Sequence, residues 1–301
     1  MNRAERLKLE VQQKIKEPDF YAVSGSKLYG TNRPSSDDDF RGFGMAPTSL
    51  LIDGVPVKGN MTKFEYSELT EDDAKMFSVS RFLKLTLTGD PQLTELFYVP
   101  EDKIVRATEL GRRVIAMRDK IVSQAVFRSI MGFGYSEWRK ACGQKLVIHY
   151  KKEDKEIIEW VRNCKTWDKD RMDTFVEWMS EDAEKELVDS KRNLGRKRLN
   201  EFDKFGFGVS SAAHAIRLSQ ELEELMLTGN ITFPRPNADF LRSIREGKYK
   251  LDELQKVYDE SKAKADEALA KSVLPPFPDI EYVCDEYERM VREAIRNDKA
   301  F

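Results

Sequence analysis

The chain has 301 residues, of which 40% are hydrophobic and 35% charged, which provides enough apolar content for a buried core in one or two domains. Its 51 Lys and Arg residues against 53 Asp and Glu exclude a globally basic nucleic-acid binder and leave open only a local basic patch. Three widely spaced cysteines argue against a disulfide framework and against a structural zinc site, and they indicate buried thiols in a reducing compartment.

The N-terminal residues form a charged helical pattern without the apolar core of a signal peptide. No apolar run approaches the roughly 18–20 residues that a membrane-spanning helix needs. We therefore expect a soluble, cytoplasmic protein that makes no membrane contact.

The first hundred residues predict a mixture of helices and strands. Residues 3–16 have the pattern of an amphipathic helix that ends before Pro18, and Phe20–Val23 is a short apolar run typical of a buried strand. Residues 37–43, 61–67 and 73–78 alternate as further strands. From Ser78 to Thr88 the pattern becomes helical, and the sequence Gly89-Asp90-Pro91 stops it.

After about residue 105 the pattern predicts helix almost throughout. The predicted helices are 106–131, 168–190, 210–228, 237–245, 250–271 and 279–298, and the Glu- and Lys-rich stretches 151–163, 181–191 and 250–271 are interpreted as solvated helix surfaces. The sequence thus indicates an α+β protein, with a mixed part over residues 1–105 and a helical part over 106–301.

The segment 25–42 (GSKLYGTNRPSSDDDFRG) carries the clearest chemistry. A Gly directly after a buried strand lets the backbone approach a ligand, and the small hydroxyl of Ser26 opens a helix whose N–H groups suit phosphate oxygens. Side chains alternate along a strand, so Asp37 and Asp39 would share one face and Asp38 would lie on the other. Two carboxylates on one face suit Mg²⁺, and two such ions can bridge a triphosphate.

A plainer interpretation competes with this one, because a Ser-Ser-Asp-Asp-Asp run is often a solvated turn. The combination of strand, Gly-Ser, spacer and paired Asp favours the chemical interpretation. This pattern resembles the nucleotidyltransferases of the DNA polymerase beta superfamily, and more narrowly the nucleotidyltransferase family associated with bacterial and phage RNA repair. The residues that match its first motif are Gly25, Ser26, Tyr29, Gly30, Ser36, Asp37, Asp39, Arg41 and Gly42.

Weaker matches continue to about residue 250. An Asp, an aromatic residue, an amphipathic helix and a Gly-x-Pro-x-x-x-Glu pattern are matched by Asp73, Phe77, Phe82, Leu83, Gly89, Pro91 and Glu95. A later helical motif is matched by Gly195, Gly206, His214, Arg217 and Glu224, and the stretch 244–249 (IREGKY) matches a further one. The resemblance implies a polymerase-beta-like core over residues 1–105 and a helical domain over 106–301 that completes the nucleotide and acceptor cleft.

The resemblance also implies roles for single residues. Gly25 and Ser26 would hold phosphates, while Asp37, Asp39 and Asp73 would bind two Mg²⁺ or Mn²⁺ ions, Asp73 being the carboxylate that orients the acceptor hydroxyl. A surface role for Asp73 stays open, and its competitors are Asp72, Glu65 and Glu68. For Arg41 the resemblance implies contact with a phosphate or neutralisation of the Asp cluster. Contact with the nucleotide is implied for Tyr29, His214 and Arg217, while a core role for Tyr29 and a structural role for His214 stay open.

The chain departs from the family pattern at two informative positions. Asp38 stands between the metal carboxylates where an apolar residue is usual, so either that strand end is exposed or the acid is paired with a base. Ser210 stands where relatives commonly carry Lys, one helical turn before His214, which puts the substrate in question.

The expected activity is transfer of a nucleoside monophosphate from an NTP, ATP among the candidates, to an acceptor hydroxyl with release of pyrophosphate. The resemblance favours a tRNA-like RNA 3′ end as the acceptor, and a small chain without evident template-binding modules suggests untemplated addition. Transfer to a protein hydroxyl and a non-catalytic nucleotide-binding relative are the alternatives. The preferred NTP, the acceptor and the oligomeric state do not follow from the sequence.

Overall fold

The computed structural model describes residues 17–34, 36–48, 51, 73–149, 151–162, 169–180, 183–189 and 196–297. The predicted helix 3–16 and strand 61–67 lie outside these ranges, as do Glu65, Glu68 and Asp72. The described residues form two compact units, of which the smaller is Ser136–Ala212 and the larger contains the residues before and after it.

A mixed four-stranded sheet organises the larger unit. Its strands are β1 (Phe20–Val23), β2 (Asp39–Gly44), β3 (Asp73–Ser78) and β4 (Ile104–Ala107), in the order β3-β2-β1-β4. Strand β1 is antiparallel to both β2 and β4, whereas β2 and β3 are parallel. Residues 45–72 separate β2 from β3 in the sequence, and most of them lie outside the described ranges.

One face of this sheet is buried, because the side chains along each strand point alternately to its two faces. Phe20 and Ala22 are buried on β1 while Tyr21 and Val23 are half-exposed. Phe20 stacks on Phe43 with ring centroids 5.3 Å apart. Phe43 in turn stacks on Phe82, which lies in the helix after β3, with ring centroids 4.3 Å apart. The sheet is thereby anchored to a hydrophobic core, which fixes the strand ends that carry the candidate site.

Helices make up most of the remaining described chain. In the larger unit they are α1 (Gly25–Tyr29), α2 (Val79–Leu87), α3 (Pro91–Thr94), α4 (Glu109–Ala116), α5 (Arg118–Ile121), α6 (Val126–Ala141, whose end belongs to the smaller unit), α10 (Val209–Thr228, whose first four residues belong to the smaller unit), α11 (Ala238–Arg245), α12 (Leu251–Ala270) and α13 (Ile280–Asn297). The smaller unit contains α7 (Lys152–Arg162), α8 (Lys169–Met179) and α9 (Arg196–Phe205), with an antiparallel pair of strands, β5 (Gln144–His149) and β6 (Glu184–Asp189).

Several predicted elements are confirmed. Strands β1 and β3 have the predicted bounds, and α2 lies within 78–88, where the Ser78 hydroxyl accepts a hydrogen bond from the Arg81 amide at its first turn. Helices α10 to α13 fall within one residue of their predicted bounds at each end. The α+β class with a small mixed sheet and a mostly helical C-terminal region is confirmed as well.

Three predictions for the second part are wrong. The predicted helix 106–131 begins with the end of strand β4, and it is interrupted between α4, α5 and α6. The predicted helix 168–190 ends at Met179, and the charged stretch 181–191 contains strand β6 instead of a helix surface. Cys142 is half-buried and Cys284 is exposed, so the expectation of buried thiols is wrong for both; each is a free cysteine.

The predicted boundary at residue 105, between a mixed part and a helical part, stays a prediction. Within the described part of the chain, no helix combines the length and hydropathy that crossing a membrane requires.

Candidate active site

Gly25 and Asp39 lie against each other at the centre of the candidate site. Gly25 begins α1 with φ of +62°, and a Cβ added to it would lie 2.0 Å from Asp39 Oδ2 and 2.7 Å from Asp39 Cγ. The Ser24 amide donates to the Asp39 carbonyl at 2.8 Å, which ties the two segments together. Only glycine fits this position, because its backbone is left-handed and its missing side chain makes room for the Asp39 carboxylate.

The backbone of Asp73 lies directly beside that of Asp39. Both residues begin their strands, and they are register partners in the parallel pair β2–β3. The side chain of Asp73 lies outside the described part of the structure, so its role as third carboxylate stays a prediction. Its competitor Asp72 precedes the strand and is itself outside the described residues.

The first two acids of the Asp run differ from Asp39 in their surroundings. Strand β2 begins at Asp39, so Asp37 precedes it as an exposed residue, and the alternation argument for a shared face does not extend to Asp37. The Asp38 carboxylate forms an ion pair with Lys27 of α1, which answers the question that this unexpected acid raised. Among the side chains that the structure describes, which omit that of Asp73, no group of three or more His, Cys, Asp or Glu converges on one point.

Arg41 lies two residues beyond Asp39 on β2, and therefore on the same face. Its guanidinium donates to Ser24 Oγ at 2.9 Å and to Gln92 Oε1 at 2.8 Å. Burial raises the pKa of the neighbouring Asp90 carboxyl, and the Leu93 amide and Arg41 partly offset this effect. Arg41 thus brings a positive charge to the edge of the site while two hydrogen bonds hold its position.

Ser26 is half-buried in the first turn of α1, and its carbonyl accepts a hydrogen bond from the Thr31 amide at 2.9 Å. Its predicted contact with phosphate stays a prediction.

Tyr29, Glu95 and Arg217 form a triangle of mutual contacts. The Tyr29 hydroxyl donates to Glu95 Oε2 at 2.6 Å, Arg217 Nη1 donates to Glu95 Oε1 at 2.8 Å, and the Arg217 guanidinium lies 3.7 Å from the centre of the Tyr29 ring. The arginine is 3% exposed and the glutamate 2%. The nucleotide contacts predicted for Tyr29 and Arg217 stay predictions; the contacts present join α1, the turn Glu95–Tyr98 and α10.

More charged groups extend this triangle into a buried cluster. Arg217 also donates to Glu221 Oε2 at 2.6 Å, the Arg235 guanidinium lies 3.7 Å from Glu221 Oε1, and Arg235 also pairs with Glu224. Three carboxylates thus face two guanidiniums. Burial raises the pKa of Glu221 to about 7 and Glu95 adds to the effect, whereas Arg217 and Arg235 oppose it. Burial also raises the pKa of Tyr29 well above its usual value.

At Arg217 the neighbouring acidic groups together change the pKa more than burial does. Burial alone would lower the pKa of its guanidinium, but Glu221, Tyr29 and Glu95 together raise it above the usual value. Arg217 therefore stays charged at every pH at which the protein is folded, and it needs its carboxylate partners.

His214 lies one helical turn before Arg217 on α10, half-buried, with its ring edge against Phe133 at a centroid distance of 5.6 Å. Its predicted contact with the nucleotide stays a prediction. The hydroxyl and the amide of Ser210 both donate to the Glu201 carboxylate.

Sequence reasoning missed the connections among these residues. Glu95 and Arg217 were recognisable as pattern matches, but their contact with each other was not, since 122 positions separate them. The sequence patterns singled out neither Gln92 nor Glu221. For Glu221 the spacing could have helped, because a residue four positions after Arg217 can form an ion pair with it on one helix face.

Comparison with known proteins gives two findings that agree with this geometry. The family model described as RNA repair pathway DNA polymerase beta family, RlaP, matches residues 8–273. An uncharacterised 38.9 kDa protein from the nrdC–mobD intergenic region of Enterobacteria phage T4 is 24% identical, over 91% of this chain and 96% of its own length. Because the family match covers most of the sequence, including both strands of the candidate site, the chain belongs to the RlaP family of polymerase-beta-like nucleotidyltransferases.

Proposed function

We propose that the protein is a Mg²⁺-dependent nucleotidyltransferase that moves a nucleoside monophosphate from an NTP to an acceptor hydroxyl and releases pyrophosphate. The observation that carries the proposal is the packing of the Asp39 carboxylate against the bare Cα of Gly25, with the backbone of Asp73 alongside. The family membership supports the same reaction class.

The donors in this region fit a hard divalent cation. Asp37, Asp39 and Asp73 offer carboxylate oxygens, the ligands that Mg²⁺ and Mn²⁺ prefer, and the space that Gly25 leaves is taken up by one of these carboxylates. Two bound ions would neutralise charge on the triphosphate and on the leaving pyrophosphate.

The residues of the chain itself position the reactants. Ser26 and Arg41 would hold the triphosphate, and His214 would contact the base or the phosphates. The acceptor oxygen attacks the α-phosphorus, the bond from that phosphorus to the bridging oxygen breaks, and the hydroxyl proton passes to the Asp73 carboxylate. Positioning and electrostatics supply the rate enhancement, since no covalent intermediate with the protein is needed.

An RNA 3′ hydroxyl is the acceptor that the family supports best, because its description places it in an RNA repair pathway. Addition would be untemplated, with residues 1–105 carrying the catalytic groups and residues 106–301 the further contacts to the nucleotide and acceptor.

The test is incubation of the full chain with each α-³²P-labelled NTP and Mg²⁺ or Mn²⁺, with and without total RNA. We expect label in RNA, lost in Asp39→Asn and retained in Asp38→Asn, the matched control one residue away whose carboxylate pairs with Lys27. Label in protein would redirect the proposal to a protein hydroxyl. No label in any fraction with the wild type would refute the proposed transfer, and equal labelling by both variants would refute the assignment of Asp39.

A further inference from the structure

The segment Gly89–Glu95 has no part in the chemistry proposed above, although it matches the family pattern. It is built rigidly: Asp90 caps α3 by accepting from the Leu93 amide at 3.0 Å, Pro91 occupies the first turn, and Leu93 is buried. Short rigid segments of this kind can fix the side chains that contact them. Gln92 and Glu95 both project from this segment toward elements of the candidate site.

Gln92 is connected to the first residues of α1 by a chain of hydrogen bonds. Its Oε1 accepts from Arg41 Nη2 at 2.8 Å, and Arg41 Nη1 donates to Ser24 Oγ at 2.9 Å. Ser24 immediately precedes Gly25, and its amide donates to the carbonyl of Asp39. Gln92 therefore holds both the peptide that leads into Gly25 and the strand that carries Asp39.

Glu95 holds the other end of the same helix. It accepts from the hydroxyl of Tyr29, the last residue of α1, and its second oxygen is occupied by Arg217. A five-residue helix is too short to be stable by itself, so its position depends on contacts of this kind. One rigid segment thus anchors α1 at its beginning through Gln92 and at its end through Glu95.

We propose that Gln92 and Glu95 are positioning residues that hold α1 and β2 so that Gly25 and Asp39 keep their close contact. This inference rests on the proposed function for its effect on catalysis, because the reaction needs the Asp39 carboxylate in place. Its structural content, that α1 loosens when Gln92 stops accepting from Arg41, holds whether or not the protein transfers nucleotides.

Two substitutions at the half-buried Gln92 separate hydrogen bonding from packing. Gln92→Met keeps the length of the side chain and removes the acceptor, whereas Gln92→Glu keeps an acceptor for Arg41. Gln255→Met is the matched control, since Gln255 is also half-buried and donates to Asp259 within α12.

Amide hydrogen exchange on the full chain is the first measurement. We expect faster exchange over residues 24–30 in Gln92→Met, exchange close to wild type in Gln92→Glu, and no change there in Gln255→Met. Tyr29→Phe, which removes only the hydroxyl that donates to Glu95, is expected to speed exchange at residues 28–31. Wild-type exchange at these positions in Gln92→Met, or the same increase in both Gln92 variants, would overturn the inference.

Nucleotidyl transfer is the second measurement. We expect kcat/KM to fall by about 10–100-fold in Gln92→Met, the usual effect of losing a partner that orients a metal ligand, with the larger part of the loss in kcat. A wild-type chain that transfers no nucleotide refutes the proposed function and leaves the exchange experiment to decide this inference. An active wild type with equal kcat/KM in both Gln92 variants refutes the inference alone.

Discussion

Replacement of Gly25 by Ala is the most direct perturbation of the candidate site. The added Cβ would lie 2.0 Å from Asp39 Oδ2 and 2.9 Å from Asp39 Cβ, so rotation of the carboxylate alone does not relieve the contact. The backbone φ of +62° costs an L-residue about 1–2 kcal/mol by itself. Overpacking typically adds about 1–3 kcal/mol, so we expect a total loss of about 2–5 kcal/mol in the free energy of unfolding.

Gly206→Ala isolates the backbone contribution. Gly206 has φ of +82°, and nothing lies within 4 Å of the position where its Cβ would be. This variant should lose only about 1–2 kcal/mol in the free energy of unfolding and should keep nucleotidyl transfer. The difference between the two variants measures the crowding between Gly25 and Asp39.

The assay combines urea unfolding with nucleotide transfer for both variants. Gly25→Ala should lose more stability than Gly206→Ala and should lose transfer, because the displaced carboxylate belongs to the proposed metal ligands. Equal destabilisation by the two variants, together with retained transfer in Gly25→Ala, would refute the claim that the close contact with Asp39 matters.

Three further predictions concern stability. Arg217→Met leaves the carboxylates of the buried cluster without their shared partner, so we expect a loss of about 3–5 kcal/mol in urea unfolding, whereas Arg112→Met at an exposed ion pair should barely move the urea midpoint. The raised pKa of Glu221 means that its contribution to stability is present below the ordinary pKa of a glutamate and is lost as pH rises through about 7. Relative to wild type, Glu221→Gln should therefore gain up to about 3 kcal/mol between pH 5 and pH 8, and a difference independent of pH would contradict the assignment. Ser78→Ala removes the hydroxyl that caps α2 and should cost about 1 kcal/mol, measured as a shift of the urea midpoint; an unchanged midpoint would show that the cap is dispensable.

The strands nearest the site could be predicted because their signals are local. Strand β1 is a short apolar run between a Pro and a Gly, and β3 ends at the Ser that caps the next helix. The start of β2 was predicted two residues too early. The strand pattern was taken to begin at Asp37, but of the three consecutive Asp residues only Asp39 pairs with β3. The motif predicts where the site lies, and the start of β2 decides which of the three Asp residues lies on the sheet.

The strands of the smaller unit could not be predicted in the same way. Strand β6 (Glu184–Asp189) has four charged residues among six, a composition that disfavours strands and suits an exposed helix. It is a strand because β5 supplies a partner along its whole length, with register from Gln144 and Asp189 to His149 and Glu184. Pairing between segments about forty residues apart overrides the local propensity of β6. The hydrophobic pattern within β6 does not predict this pairing.

The buried cluster shows why a pattern match does not by itself assign a role. Tyr29 and Arg217 were predicted to contact the nucleotide, yet the Tyr29 hydroxyl donates to Glu95, and Arg217 Nη1 donates to Glu95 and Glu221. Arg217 is 3% exposed, so a triphosphate would have to reach it inside the protein, and drawing it away from its carboxylates would cost about 3–5 kcal/mol. This free-energy cost would weaken the affinity for the NTP. Among the described residues, Arg41 donates to the neutral groups of Ser24 and Gln92, so a phosphate could take its charge without that cost. We therefore expect Arg41 of the first motif, rather than Arg217 of the later helix, to make the phosphate contact.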